Sequence, residues 1–148
     1  MNKLSKKKGF TLIEILVVIG IIALLATIVL IAINPARQFA QARNSQRVSN
    51  VNTLLNAIGQ NLADNKGIFT CPGVTIAVAP AASSTIGTGG ANLASCLVPT
   101  YIGAGIPMDP KFGTPADTGY EVLETTGRYM VCVKNANQEL ATAICVNR

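Results

Sequence analysis

A short polar stretch opens the chain. It is followed by 24 almost wholly apolar residues, Phe10 to Ile33, interrupted by Thr11, Glu14, Gly20 and Thr27. As a helix rising about 1.5 Å per residue, such a run spans roughly 36 Å, enough to cross a hydrocarbon core of about 30 Å. From residue 34 to residue 63 the pattern changes. Val48, Val51, Leu55, Ile58 and Leu62 recur at spacings of three and four among Asn, Gln, Ser and Arg. That spacing predicts an amphipathic helix with one face packed on a core. Asn34-Pro35 stands at the junction. Pro35 removes one backbone hydrogen bond and crowds the carbonyl four residues back, so a kink or break is expected there. The apolar residues on both sides favour a kinked continuous helix over two unrelated ones. Asn65 and Gly67 supply a stop.

Beyond residue 63 the helix signal fades. Residues 72–92 are rich in Gly, Ala, Ser and Thr and read as a long surface connection, with a short strand at Val74–Val78 as a candidate. Residues 99–118 carry four Pro and three Gly and read as Pro-fixed turns. The last thirty residues alternate in the manner of strands. Tyr120–Thr125, Arg128–Lys134 and Leu140–Val146 form a three-stranded antiparallel meander, with turns at Thr126-Gly127 and Asn135–Glu139. In the middle strand Tyr129, Val131 and Val133 point one way, Met130 and Cys132 the other, and one face of the sheet should cover the helix stripe. The expected fold class is therefore α+β. A long helix (residues 10–33, then 34–63) precedes a small β head at residues 64–148.

Charge sharpens the N-terminal reading. The 148 residues carry 12 Lys+Arg and 7 Asp+Glu, a formal +5, and four of the basic residues (Lys3, Lys6, Lys7, Lys8) lie in the first eight positions. Without residues 1–9 the balance is 8 basic against 7 acidic. The Lys cluster before the apolar run, with Arg37 the first cation after it, places the N-terminus on the cytoplasmic side. The run is longer than the 7–15 apolar residues of a secretory signal, and Leu24-Leu25-Ala26 is a poor cleavage site, so a retained helix is expected. Glu14 is the residue a plain anchor does not explain. A carboxylate in a bilayer costs about 2.5–3.5 kcal/mol, unless it snorkels to the interface or finds a partner in an assembly.

Candidate chemistry is sparse. There is no His, which removes the commonest general base and metal ligand and rules out a Ser–His or Cys–His dyad. Cys71, Cys96, Cys132 and Cys145 include no C-x-x-C pair, so their even number reads as two disulfides formed in an oxidising compartment. Cys132 and Cys145 become cross-strand neighbours if the last turn centres between Gln138 and Glu139. Cys71–Cys96 then follows mainly by elimination. Asp109, Asp117 and Glu121 offer oxygens, but their spacing matches no calcium motif. No metal and no cofactor is expected. Arg37, Arg43 and Arg47 form a basic helical edge. Pairing with acids of adjacent subunits, or simple solvation, suits them better than nucleic acid does, because the chain without its leader carries about +1.

The sequence Gly9-Phe10-Thr11-Leu12-Ile13-Glu14, after a basic leader and before an unbroken apolar run, resembles the class III signal of type IV prepilins and the pseudopilins of type II secretion. The resemblance covers residues 1 to about 33. It implies a leader (residues 1–9) removed by a prepilin peptidase between Gly9 and Phe10, leaving 139 residues, and N-methylation of Phe10. It also implies a helical homopolymer, with other pilin-like subunits, in which Glu14 neutralises the N-terminal amine of a neighbour and sets the register. The implied protein is structural, not an enzyme. It would be anchored once in the inner membrane with its head outside, and drawn from the bilayer into a cell-surface filament by an inner-membrane assembly platform. Leu97 to Ile102, Ile106 to Pro110 and Gly119-Tyr120 are similar to the loop pattern of many secretion pseudopilins and of short Gram-positive-like pilins. Two features depart from the family pattern: Ile31 stands where many pilins carry Pro, and secretion major pseudopilins commonly lack disulfides. A competence-type DNA-uptake pilin, or a membrane-anchored binding protein or enzyme sharing only the export signal, is the alternative.

Overall fold

The computed structural model describes residues 9–135, Glu139 and residues 143–148. The basic leader before Gly9 lies outside the described residues, as do most of the expected Asn135–Glu139 turn and the first positions of the expected Leu140–Val146 strand. The chain divides into two compact units, residues 1–38 and 39–148.

In the first unit, helix α1 runs Leu12–Ile33 and none of its residues is buried. Thr11 is its N-cap in extended geometry, and Asn34 closes it in left-handed geometry at φ 47°. Helix α2 then begins at Pro35 and runs to Asp64. Of the kink or break expected at Pro35 the structure shows the break, two helices with one non-helical residue between them, in place of the favoured kinked but continuous helix. Pro35 disfavours helical geometry in the residue before it, and Asn is among the few residues that enter the left-handed region at small cost. Pro35 then occupies the first position of α2, where its missing N–H is no loss. The Asn34 side-chain oxygen accepts the N–H of Arg37 at 3.3 Å and caps the new helix.

The second unit is built on α2 from Phe39 onward. Val51, Leu54, Leu55, Ala57 and Ile58 are buried in its core, with Leu62 partly buried against it. Val48, expected in the stripe, is 42% exposed, and Leu54 and Ala57 take up the width instead. The buried face of a helix on a globular core is a band over 100° wide, not a single line of residues. At the C-terminus the Gly67 N–H returns to the Leu62 carbonyl at 2.7 Å, and Lys66 adopts φ 58°. This is a Schellman ending with Lys at the left-handed position.

Four strands form one antiparallel sheet in the order β1 (Ser84–Thr85), β2 (Tyr120–Thr125), β3 (Arg128–Val133) and β4 (Cys145–Asn147). A short helix, α3 (Ala94–Leu97), lies between β1 and β2 in sequence. The β2–β3 hairpin turns on Thr126 and Gly127 at φ 49° and 77°, the two positive values a tight two-residue hairpin needs. Tyr129, Val131 and Val133 are buried on one face of β3 and join Tyr120 and Val122 against the α2 residues Val51, Leu54, Leu55 and Ile58. The α+β class and the sheet-on-helix packing agree with the alternation read from the sequence.

The Gly/Ala/Ser/Thr-rich segment departs from expectation. Val74–Val78 is not a strand, and its contribution to the sheet is a single bridge from Val78 to Glu124. The pairing partner of β2 is Ser84–Thr85. Ile76, Ile86 and Ala91 from this segment are buried in the core with Leu93 and Leu97, so residues 72–92 supply core as well as surface.

Candidate functional site

Gly9 and Phe10 lie outside the helix and are exposed, Phe10 at 85%, and nothing approaches within 4 Å of the position a Cβ would take on Gly9. The Gly9–Phe10 bond is therefore in an accessible non-helical stretch two residues before α1. A protease cleft needs access of this kind, and a bond inside a helix denies it.

Glu14 is engaged locally. Its carboxylate accepts the Thr11 N–H and the Thr11 hydroxyl, each at 2.7 Å, while the Glu14 N–H donates to Thr11 Oγ1 at 3.3 Å. This is a capping box: two backbone donors left without partners at a helix start are satisfied reciprocally. Its signature, Thr-x-x-Glu before an apolar run, is present in the sequence, and reading Glu14 only as a charge in lipid misses it. The carboxylate also sits where the helix dipole favours negative charge.

A second polar constellation lies in the 39–148 unit, and spacing along the chain gives no hint of it. The Arg47 side chain is fully buried. Its Nε and Nη2 donate to the two oxygens of Asp109 at 2.6 and 3.1 Å, and its Nη1 donates to Asn44 Oδ1 at 2.6 Å and to Glu139 Oε2 at 2.5 Å. Glu139 also accepts from Arg43 Nε and Nη2, and its Oε1 lies 3.1 Å from Lys111 Nζ. Asp109 Oδ1 in turn accepts the N–H groups of Lys111 and Phe112, each at 2.9 Å. The guanidinium fork of Arg47 suits such two-point binding of a carboxylate. Burial would raise the Asp109 pKa, but the Arg47 hydrogen bond and the two backbone donors hold it below its ordinary value. The Arg43 hydrogen bond, joined by those of Arg47 and Lys111 against burial, holds Glu139 at about 2. The Arg43 and Arg47 edge expected to meet acids of adjacent subunits is thus occupied by acids of its own chain. Arg37 takes no part in the cluster.

The disulfides join Cys71 to Cys96 and Cys132 to Cys145, and the second pair are direct partners in the β3–β4 ladder. The oxygens weighed for calcium are dispersed: Asp109 faces Arg47, Asp117 pairs with Lys134 at 2.7 Å, and Glu121 accepts the Ser83 hydroxyl at 2.6 Å. Among the described residues no three Asp, Glu or Cys side chains come together as a metal site. A hollow of about 220 Å³ is bordered by Ile86, Leu93, Ile106, Met108 and Pro115, with Thr88, Asn92 and Thr118 as polar members and no acid or base.

Comparison with known proteins adds one match. Residues 4–30 fit the prokaryotic N-terminal methylation motif. No curated protein and no solved structure is found similar to the chain. The match falls on the basic leader, the Gly9–Phe10 junction, Glu14 and most of α1. The N-terminal signal of this chain is thus of the kind that type IV pilin-like proteins carry.

Proposed function

We propose that the protein is a structural, non-enzymatic subunit of a type IV pilus or pseudopilus filament. The observation that carries the reading is α1: a helix of 22 residues, none of them buried, long and apolar enough to cross a membrane. It bears a single charge, Glu14, directly after the methylation-motif junction. Before assembly its solvent is lipid, with residues 1–9 as a cytoplasmic leader and the disulfide-bonded head on the far side of the inner membrane. The four leader Lys would hold the junction at the anionic leaflet, each contributing about 1 kcal/mol. A prepilin peptidase then cuts after Gly9, and Phe10 becomes the methylated N-terminus. In the filament, α1 exchanges lipid for the α1 helices of other copies and of pilin-like partners, delivered by an inner-membrane platform. The Phe10 amine of one subunit meets the Glu14 carboxylate of the next, two charges that are costly in hydrocarbon singly and much less so as a pair.

Mass spectrometry of the protein recovered from its native membrane tests the processing. The expected first residue is Phe10, carrying one added methyl group. Any other first residue overturns the assignment.

A further inference from the structure

The two halves of α2 are attached to the rest of their unit by different forces. From Val51 onward the attachment is mainly apolar, through Val51, Leu54, Leu55, Ala57 and Ile58, which are at most 2% exposed, with the buried Asn61 bonded to the Thr70 backbone near its end. From Phe39 to Asn50 it is polar. Arg43 and Arg47 hold Glu139, Arg47 holds Asp109, and Asn50 donates to the Tyr120 hydroxyl at 2.8 Å. The one buried apolar residue of this stretch is Ala40, while Phe39 and Val48 stay exposed. The acids on the other side of these contacts come from separate places: Asp109 from the loop before β2, and Glu139 from the stretch closed by the Cys132–Cys145 bond, seven residues from one Cys and six from the other.

We propose that residues 39–50 form an arm of α2 held by an ionic clamp, and that this arm releases as a unit while the core from Val51 onward stays folded. The asymmetry follows from what each opening exposes. Lifting the arm returns guanidinium and carboxylate groups to water, which solvates them strongly, so much of what the broken contacts gave is recovered. Lifting the second half exposes large aliphatic side chains, and nothing compensates for that. The disulfide keeps the Glu139 stretch near its seat while the clamp is open, so closing needs no long search. Extended fully, the 12 residues of the arm would lengthen the chain by roughly 20 Å relative to helix, without disturbing the core. The inference does not depend on polymerisation, and it gives the chain a point of yield between α1 and the disulfide-stapled head.

Hydrogen–deuterium exchange on the full chain in detergent micelles, read by mass spectrometry, tests it. In the unmodified protein, amides of residues 40–50 are expected to exchange at least tenfold faster than those of residues 54–62 and to show a weaker dependence on denaturant. Glu139→Gln, which removes one charge of the clamp and leaves the Arg47–Asp109 pair, is expected to speed the first group a further tenfold. It should leave residues 54–62 and the β2–β3 hairpin within twofold. Exchange of both halves of α2 as one class in the unmodified protein overturns the proposal. So does a Glu139→Gln effect spread equally over both halves, or one confined to neither.

Discussion

α1 and α2 each carry a charge in surroundings that should repel it, and they accommodate it in opposite ways. Glu14 sits on a helix with no buried residue, and its carboxylate is satisfied within four residues of chain by the Thr11 N–H and hydroxyl. Arg47 sits on a helix packed into a core, and its guanidinium is satisfied by Asp109 and Glu139, 62 and 92 residues away. A long-range solution is complete within the chain, because folding alone brings its members together. A local solution on an exposed apolar surface is provisional. It satisfies hydrogen bonds but leaves the charge without a counter-charge, and α1 without cover. The contrast separates the part of the molecule whose charges are paired within the chain from the part that stays uncovered, the part the proposed filament would cover.

The largest expected effect comes from separating the two duties of Glu14. Gln at this position still completes a capping box, because its side-chain oxygen can accept the Thr11 N–H, whereas Ala cannot. Neither residue can neutralise an amine. If the charge matters for assembly, Glu14→Gln and Glu14→Ala both lower filament yield to background, while peptidase cleavage, followed by the mass of the chain, stays normal. If the cap is what matters, Glu14→Gln assembles like the unmodified chain and Glu14→Ala alone fails. Electron microscopy and immunoblotting of sheared surface material distinguish these outcomes, and normal filaments from Glu14→Gln would remove the charge from the account.

For Arg47 the corresponding change acts on stability. Asp109→Ala leaves a buried guanidinium short of its main partner, a change of the kind that costs about 3–5 kcal/mol. We expect the low end, about 3 kcal/mol in denaturant unfolding of the full chain, because Arg47 can swing out to water with its arm. Arg47→Met combined with Asp109→Leu should restore most of the loss, since an apolar pair of similar volume often replaces a buried ion pair without penalty. A double variant no better than Asp109→Ala would mean that the ions fix the geometry of loop 109–113 in a way apolar packing does not.

Proton linkage probes the same cluster more gently. Asp109 and Glu139 are both held below their ordinary values, Glu139 at about 2 against 4.5 for a free Glu. A depressed carboxylate adds stability that is fully present above the unfolded-state pKa and is lost as pH falls through the folded one. The thermal midpoint should therefore be flat above about pH 5 and decline from there toward pH 2. Glu139→Gln should flatten part of that decline. A profile unchanged by the substitution would show that other carboxylates, such as Asp117 beside Lys134, carry the linkage.

What the sequence disclosed divides along the same line. The α1 run, the α2 stripe and the β2–β3 hairpin were legible because each depends on composition, periodicity or turn chemistry within one continuous stretch of chain. The Glu14 cap was equally legible, since Thr11 and Glu14 stand in the order a capping box requires. The Arg47 cluster was not, because nothing in the spacing of positions 47, 109 and 139 joins them before the loops are placed. Strand β1 escaped for a different reason. Ser84-Thr85 has too little apolar content to alternate, and Ile86 stands alone among small residues, so its burial follows from the shape of the core and not from any period.

The smallest expected effect concerns how the two helices end. Each closes on a non-glycine residue in left-handed geometry, Asn34 at φ 47° and Lys66 at φ 58°. The conformation costs an ordinary L-residue about 1–2 kcal/mol and Asn less, because its short polar side chain bonds locally. Glycine removes that cost but adds about 0.5–1 kcal/mol of unfolded-chain entropy. Lys66→Gly should therefore stabilise the head by about 0.5–1 kcal/mol, a thermal shift of a few degrees for a unit of this size. Asn34→Gly starts with less strain to relieve. It also gives up the side-chain cap on the Arg37 N–H, a loss of a few tenths of a kcal/mol, so its net effect should be near zero. Equal gains at both positions would mean that Asn34 is as strained as Lys66 and that its cap contributes nothing. The difference between them measures how far the break between α1 and α2 is held in place by one Asn side chain.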